Sequence, residues 1–286
     1  MPTLSYLGGT VLSTVEVFPV FHGPTVQYTS QILSFYTQVT NSNYFDWLIE
    51  YNTPTQSITR GYVTGSYTDS STTLPTSIND AYIRTYLSSL VSSGRITPTA
   101  NTFIPIYFPP GTNIFSSTGT VASCTIWCAY HSYQPVTTPS GTTYNLAYAV
   151  LPDMGPSTGC YRGCGGYAQP FDSLSAVSTH ELVESVTDPR LDGWHESGSG
   201  FNEIGDLCNG QHGSVVGGDG VTYAVQLEFS NEVQACIQSV PLTFAFAFSF
   251  TITVSSSFSV AFTVTNALSI TVRFSNRTVT FPCSNF

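Results

Sequence analysis

The sequence contains no lysine, and its seven basic residues are all arginines. Only 8% of the residues are charged, and the formal net charge is −10. A chain so short of cations cannot follow a phosphate backbone, which excludes nucleic acid as a partner. The same shortage disfavours an anionic membrane surface. Residues 1–12 lack a basic n-region and a compact apolar h-region, so they do not read as a signal peptide. A surface with this little charge resists association weakly, which leaves glycan cover or packing against other copies. The single N-glycosylation sequon is Asn276-Arg277-Thr278.

What is present is apolar material: 41% of 286 residues are hydrophobic, enough for one large domain or a domain with a smaller module. Seven cysteines point to an oxidising, extracellular setting. Cys124 and Cys128 lie close in sequence, as do Cys160 and Cys164, and Cys208, Cys236 and Cys283 follow. Six of them can form three bridges, in about fifteen possible pairings. The C-x3-C spacings have no matched second half of zinc-finger type, so disulfides are favoured over a cysteine-metal site. Cys283 is then free or paired between chains.

The periodicities predict a mixed α+β domain over residues 1–239. Residues 14–21 alternate and read as a strand despite Pro19. Ile32, Phe35, Tyr36 and Val39 have helical spacing, and a second short helix is expected around Tyr44–Ile49. A helix over Asn79–Ser93 should stop at Gly94. Thr102–Phe108, Tyr144–Leu151 and Tyr223–Phe229 read as strands. Residues 152–170 form a cysteine-stapled loop, after which Asp172 can cap a helix that runs to Thr187 and ends before Pro189. Residues 188–220 are aperiodic and rich in Gly, Asp and Glu, as expected of a ligand-holding loop.

The character changes at residue 240. Leu242, Phe244, Phe246, Phe248, Phe250, Ile252 and Val254 occupy every even position, and the pattern recurs in two further runs that end at Phe274. Period-two alternation predicts an antiparallel all-β extension over residues 240–286, each strand with one greasy and one small polar face. That greasy face packs on the first domain or closes into a small sandwich of its own, or a partner copy of the chain covers it or takes one strand at its sheet edge. The strands are too few, and their polar face too small-residued, for a membrane barrel, so no membrane span is expected.

The chemistry concentrates in residues 180–212. In a helix, His180, Glu184 and Asp188 fall on one face, four residues apart, and can present one nitrogen and two carboxylates to a metal. Glu181 is turned aside by one helical step, where it can take a proton from a water on that metal. This is the H-E-x-x-H arrangement with Glu in place of the second His. His195 is a candidate third nitrogen ligand, with Glu203 and Asp206 as further oxygen ligands. Zinc accepts such a set, and the added carboxylates also admit calcium at Asp188, Glu196, Glu203 and Asp206. In a chain with 8% charged residues, this clustering of acids and histidines calls for a cation. His131 after Cys128 and His22 before Gly23 could approach the same site, but both read first as ordinary packed histidines.

The segments GGTVLSTVEVFPVFHG (8–23), YFPPG (107–111), CTIWCAYH (124–131), HELVESVTDP (180–189), EIGDLC (203–208) and VQLEFSN (225–231) resemble a family of secreted bacterial and fungal proteins assigned as metallopeptidases. That family is distantly similar to the plant phosphate-induced, EXORDIUM-like proteins. The resemblance covers residues 8–236 and implies a zincin-like domain with His180 and Glu184 as ligands and Glu181 as base. It also places Glu203 and Asp206 in the site loop and implies a Cys208–Cys236 bridge. This chain has His195-Glu196 after Gly193-Trp194 where the family has Tyr-Asp, a change that adds a ligand or removes a transition-state donor. Two functions follow as expectations. One is a secreted zinc metallopeptidase acting on a peptide or protein. The other is an extracellular filament subunit that joins copies of itself through residues 240–286, with a calcium or vestigial metal site.

Overall fold

A computed structural model describes residues 2–115, 122–196, 202–239, 269–274 and 277–282. The chain divides into two compact units, Met1–Val240 and Pro241–Phe286. The expectations for the alternating run over 240–268, for Asn276 and for Cys283 fall outside the described residues.

The first unit combines helices and strands, as an α+β chain should. After β1 (Leu4–Tyr6), the stretch expected as one strand is two, β2 (Thr14–Val17) and β3 (Val20–Phe21). The break falls at Pro19, which has no N–H to give a ladder. Helix α1 (Thr29–Val39) buries the predicted face of Ile32, Phe35, Tyr36 and Val39, and a short α2 (Asn43–Asp46) leads into a 3-10 turn over Trp47–Tyr51. Strands β4 (Thr59–Val63), β5 (Tyr67–Thr68) and β6 (Ser77–Asn79) precede α3 (Asp80–Ser92). Asn79 caps α3, its Oδ1 accepting from the Tyr82 N–H at 2.9 Å, and Gly94 ends it at a φ of +73°.

Strands β7 (Thr102–Tyr107), β8 (Asn113–Phe115), β9 (Tyr130–Thr137) and β10 (Thr143–Leu151) follow. The central sheet runs β4-β2-β7-β10-β9, with β3 beside β7 and β5 beside β3. Its pairs are parallel except for β10 with β9. Parallel neighbours need crossovers, and the helices supply them. Both faces are therefore covered, and Thr102–Tyr107 is buried along its whole length. Ile104, Ile106 and Tyr148 pack with Ile83, Leu87 and Leu90 of α3 on one face. Phe103, Tyr107 and Ala149 pack with α1 and the next helix on the other.

That helix, α4 (Pro170–Thr187), starts three residues earlier than a cap at Asp172 implies, with Gln169 as the cap and Pro170 in its first turn, so Asp172 lies inside the first turn. It ends at Thr187, as the following proline requires. Helix α4 is buried nearly all round and shows little amphipathic contrast. Its small hydroxyl residues permit this: Ser175 Oγ donates to Ala224 O at 2.9 Å, and Thr179 Oγ1 accepts from the Gln226 N–H at 2.9 Å. The strand expected over Tyr223–Phe229 divides at Leu227. After β11 (Trp194–Glu196) and β12 (His212–Val216) come β13 (Thr222–Gln226), β14 (Glu228–Ser230) and β15 (Ala235–Ile237), in antiparallel pairs β12–β13 and β14–β15.

Three disulfides close the unit. Cys124–Cys160 and Cys128–Cys164 join the segment before β9 to the loop before α4, so the close-spaced cysteines bond across the two segments and not within them. Cys208–Cys236 is the third, as the resemblance implied. Three such bridges fit a chain matured in an oxidising compartment, as secreted proteins are. No helix among the described residues is long and apolar enough to cross a membrane. In the second unit, β16 (Ser269–Phe274) and β17 (Arg277–Pro282) pair antiparallel, with Ser269 opposite Pro282.

Candidate metal centre

Helix α4 carries His180 and Glu184 one turn apart, and the His180 Nε2 lies 3.1 Å from Glu184 Oε1. The other Glu184 oxygen, Oε2, is 3.8 Å from the Nε2 of His131. His131 stands at the start of β9, opposite Ala149 of β10, at the carboxyl end of the parallel strands, a position where α/β sheets commonly bind ligands. Its Nε2 is also 3.0 Å from Glu203 Oε2. Of the two readings open for His131, a packed ring or a group that approaches the site, the structure brings it beside Glu184 and Glu203. The informative signal was its place three residues after the disulfide-forming Cys128, which ties this strand to the loop that leads into α4.

Two groups of potential ligand atoms result, each with mutual separations within 4.8 Å: His131, Glu184 and Glu203, and His180, Glu181 and Glu184. Ligands about 2.1 Å from a tetrahedral ion lie roughly 3.4 Å from one another, so a small relaxation would close either set on a cation.

Asp188 was expected in line with His180 and Glu184, and it departs from that line. It is the C-cap of α4, with φ −144° and ψ 57°, so the helical progression stops before it. Its Oδ1 accepts from the Gly193 N–H at 2.6 Å, while Oδ2 is buried without a partner. His195 pairs with Ser5 in the β1–β11 ribbon, its Nδ1 is 3.2 Å from Glu196 O, and it belongs to neither ligand group. Glu196 is likewise in neither group, and its Oε2 accepts from Asn202 Nδ2 at 2.8 Å. Strand pairing to the amino terminus places these two residues. Asp206 comes nearer: its Oδ1 is 3.8 Å from His180 Nε2, and its Oδ2 accepts from the Glu203 N–H at 3.1 Å. That bond folds the 203–208 turn, which the Cys208–Cys236 bridge anchors and which carries Glu203 to His131.

The turn approaches α4 closely enough to require glycine. A Cβ on Gly205 would lie 2.7 Å from His180 Nδ1 and 2.9 Å from Glu184 Oε1. Gln226 of β13 stands beside them, its Nε2 2.8 Å from His180 Nδ1 and 2.9 Å from Gly205 O. With the amide nitrogen toward it, a neutral ring accepts at Nδ1 and points its Nε2–H toward Glu184. Coordination through Nε2 needs the amide turned, so that its oxygen accepts from Nδ1–H. Gly205 O then still accepts from the Cys208 N–H at 3.0 Å.

The electrostatics are those of carboxylates crowded away from water. Burial, then the Glu184 and Glu203 charges, push the Glu181 carboxyl up to about 8 against the pull of the two histidines. Burial pushes Asp188 up to about 6, with Glu203 adding to it. Burial lowers the His131 pKa, but the charges of Glu203, Glu184 and Glu181 outweigh it and lift the imidazole to about 10. His180 is raised well above its ordinary value in the same way, against burial, chiefly by Glu184. Three of the seven arginines are engaged elsewhere: Arg60 pairs with Asp46, Arg84 with Asp80 and Arg190 with Asp192. One buried acid was missed in the sequence. Glu228 of β14 lies behind Gln226, with the Tyr44 hydroxyl 3.0 Å from its Oε1, and burial holds it well above the carboxylate range. An acid inside the apolar run VQLEFSN was the signal for it.

No family model matches the chain, and no solved structure matches it. Protein EXORDIUM-like 5 of Arabidopsis thaliana is 31% identical over 115 residues, which covers 33% of this chain and 31% of that protein. The chain thus spans about a third of the length of this curated relative. Over that stretch it is similar to an EXORDIUM-like protein, and the likeness supports that part of the resemblance read from the sequence.

Proposed function

We propose that the chain is a secreted, metal-dependent hydrolase that cleaves a peptide or protein at a zincin-like helix, with His180 and Glu184 as ligands and Glu181 as general base. The observation that carries this reading is the convergence of two histidine Nε2 atoms on the two oxygens of Glu184, 3.1 Å and 3.8 Å away, inside a buried cluster of acids. A divalent cation held there supplies Lewis-acid polarisation of a carbonyl and an activated water. Zinc suits the mixture of imidazole and carboxylate, with calcium as the harder alternative.

Glu181 lies within ligand distance of both His180 and Glu184 and has a buried oxygen, Oε2, without a partner. Ionised beside a cation, it can take a proton from the attacking water and return it to the leaving amine. Gln226 orients His180, and Gly205 lets the 203–208 turn close over the helix. Peptide-bond cleavage should be lost on chelation and restored by zinc. Turnover that survives both chelation and Glu181→Gln would sink the reading.

A second reading, a filament subunit joined through residues 240–286, is favoured by the even-position alternation of Leu242 to Val254. Negative-stain microscopy of the full chain and of a chain ending at Ser239 tests it. Fibres from the full chain alone support it, and single particles from both dismiss it.

A further inference from the structure

We propose that the centre takes two divalent cations bridged by Glu184, the second in a site made by His131, Glu203 and Glu184 Oε2. This rests on the metal-dependent reading above and extends it to a paired-ion centre.

Three observations point this way. The first is the geometry of Glu184. Its Oε1 is 3.1 Å from His180 Nε2 and its Oε2 is 3.8 Å from His131 Nε2, so each oxygen serves a different histidine. A carboxylate placed in this way spans the roughly 3.5–4 Å between the ions of two-metal sites.

The second is the partition of the ligands. The described residues form two ligand groups that share Glu184, with His131 in one and His180 in the other. A single ion would draw both histidines into one set. Instead, His131 combines with two carboxylates, Glu184 and Glu203, a donor set suited to zinc or manganese, while His180 shares Glu184 beside the proposed base Glu181.

The third is the state of the buried polar atoms. Glu184 is 3% exposed and Glu181 2%. Glu181 Oε2 and Asp188 Oδ2 are buried without hydrogen-bond partners. Orphaned carboxylate oxygens are costly, and a cation satisfies them without a donor. One divalent ion balances two carboxylates. Glu181, Glu184 and Glu203 lie in the two groups, with Asp188 and Asp206 beside them, so a second ion removes most of the charge that the first leaves.

The distribution of roles follows. The His180 side holds the cation next to the proposed base Glu181. The His131 side includes Glu203, whose side chain is only partly buried, and would receive the oxygen of a substrate. Two ions would then clamp the attacking and leaving groups.

The test is a count of bound metal. The full chain is stripped with chelator, reloaded with Zn2+ and weighed by native mass spectrometry, and is titrated in parallel with Mn2+ under electron paramagnetic resonance. Two zinc ions per chain and an exchange-coupled manganese spectrum are expected. His131→Ala should reduce the count to one and abolish the coupling, with thermal unfolding still cooperative. If that variant fails to fold, Glu203→Gln is expected to give the same loss from the other ligand. One ion in the parent chain overturns the pairing and leaves the hydrolase reading standing. No bound ion overturns both.

Discussion

Two histidines on opposite faces of the central sheet show how surroundings decide a residue's chemistry. His22, just past β3, lies edge-on to Tyr82 and Tyr86 and against Phe108, with its Nε2 2.9 Å from the Tyr82 hydroxyl. Burial lowers its pKa, and Asp69 opposes this only in part. His131, on the α4 face, is also buried but is surrounded by Glu203, Glu184 and Glu181, and its pKa rises to about 10. The first is a neutral ring that packs. The second either holds a proton among carboxylates or gives its nitrogen to a cation. In sequence both are single histidines in apolar company, and only the partners brought in by α4 and the 203–208 turn separate them.

The largest effect should come from the proposed chemistry. Glu181→Gln is expected to reduce turnover by about 10²- to 10⁴-fold while bound metal is unchanged. Loss of metal in that variant would make Glu181 a ligand and move the base elsewhere.

Next comes the pH dependence of stability without metal. Glu181, Asp188 and His131 all have raised folded-state pKa values, to about 8, 6 and 10. Each therefore contributes stability that is complete below its unfolded value and lost as pH rises through its folded one. Chelated protein should lose thermal stability steadily from about pH 4 to pH 10, the span of those unfolded and folded values. Zinc at a hundred times its dissociation constant should restore about 2.7 kcal/mol, which for a domain of this size is roughly 5–10 °C in Tm. The gain should be greatest at alkaline pH, where protons no longer stand in for the cation. A Tm that ignores both pH and zinc would contradict the comparison from the His131 side.

Gln226→Ala should weaken cation binding by about 10- to 100-fold, because it removes the partner that fixes the His180 ring. Isothermal titration of the variant checks it, and an unchanged affinity would free His180 of that support. The smallest effect belongs to His22→Phe. It loses one hydrogen bond to Tyr82, worth about 1 kcal/mol, and should leave cation affinity unchanged. It should also remove the acid-side loss of stability that a buried neutral histidine imposes below its unfolded pKa of about 6.5. A fall in metal affinity in this variant would erase the distinction between the two histidines.

The local parts of the centre were legible in the sequence. Helical spacing places His180 and Glu184 one turn apart, and Glu203 and Asp206 stood out as acids in a chain poor in charge. The long-range parts were not. His131 arrives from β9, 49 positions before His180, through a sheet pairing with β10 that no local pattern encodes. Asp188 was overextended, because a helical projection continues past a C-cap that the backbone does not follow. His195 looked like a ligand by proximity in sequence, but its register with Ser5 is set by the amino-terminal strand. The same holds for the fold. Segments with a clear period appeared nearly where expected, while the parallel order of the central sheet depends on crossovers between distant segments.

The most direct test of the account is an anomalous diffraction map at the zinc edge from crystals of the zinc-loaded chain. The account predicts density about 2.0–2.2 Å from His180 Nε2 and from Glu184, with a second peak between His131 and Glu203. A map with no peak against α4, or with zinc only at surface carboxylates such as Asp219, would contradict it.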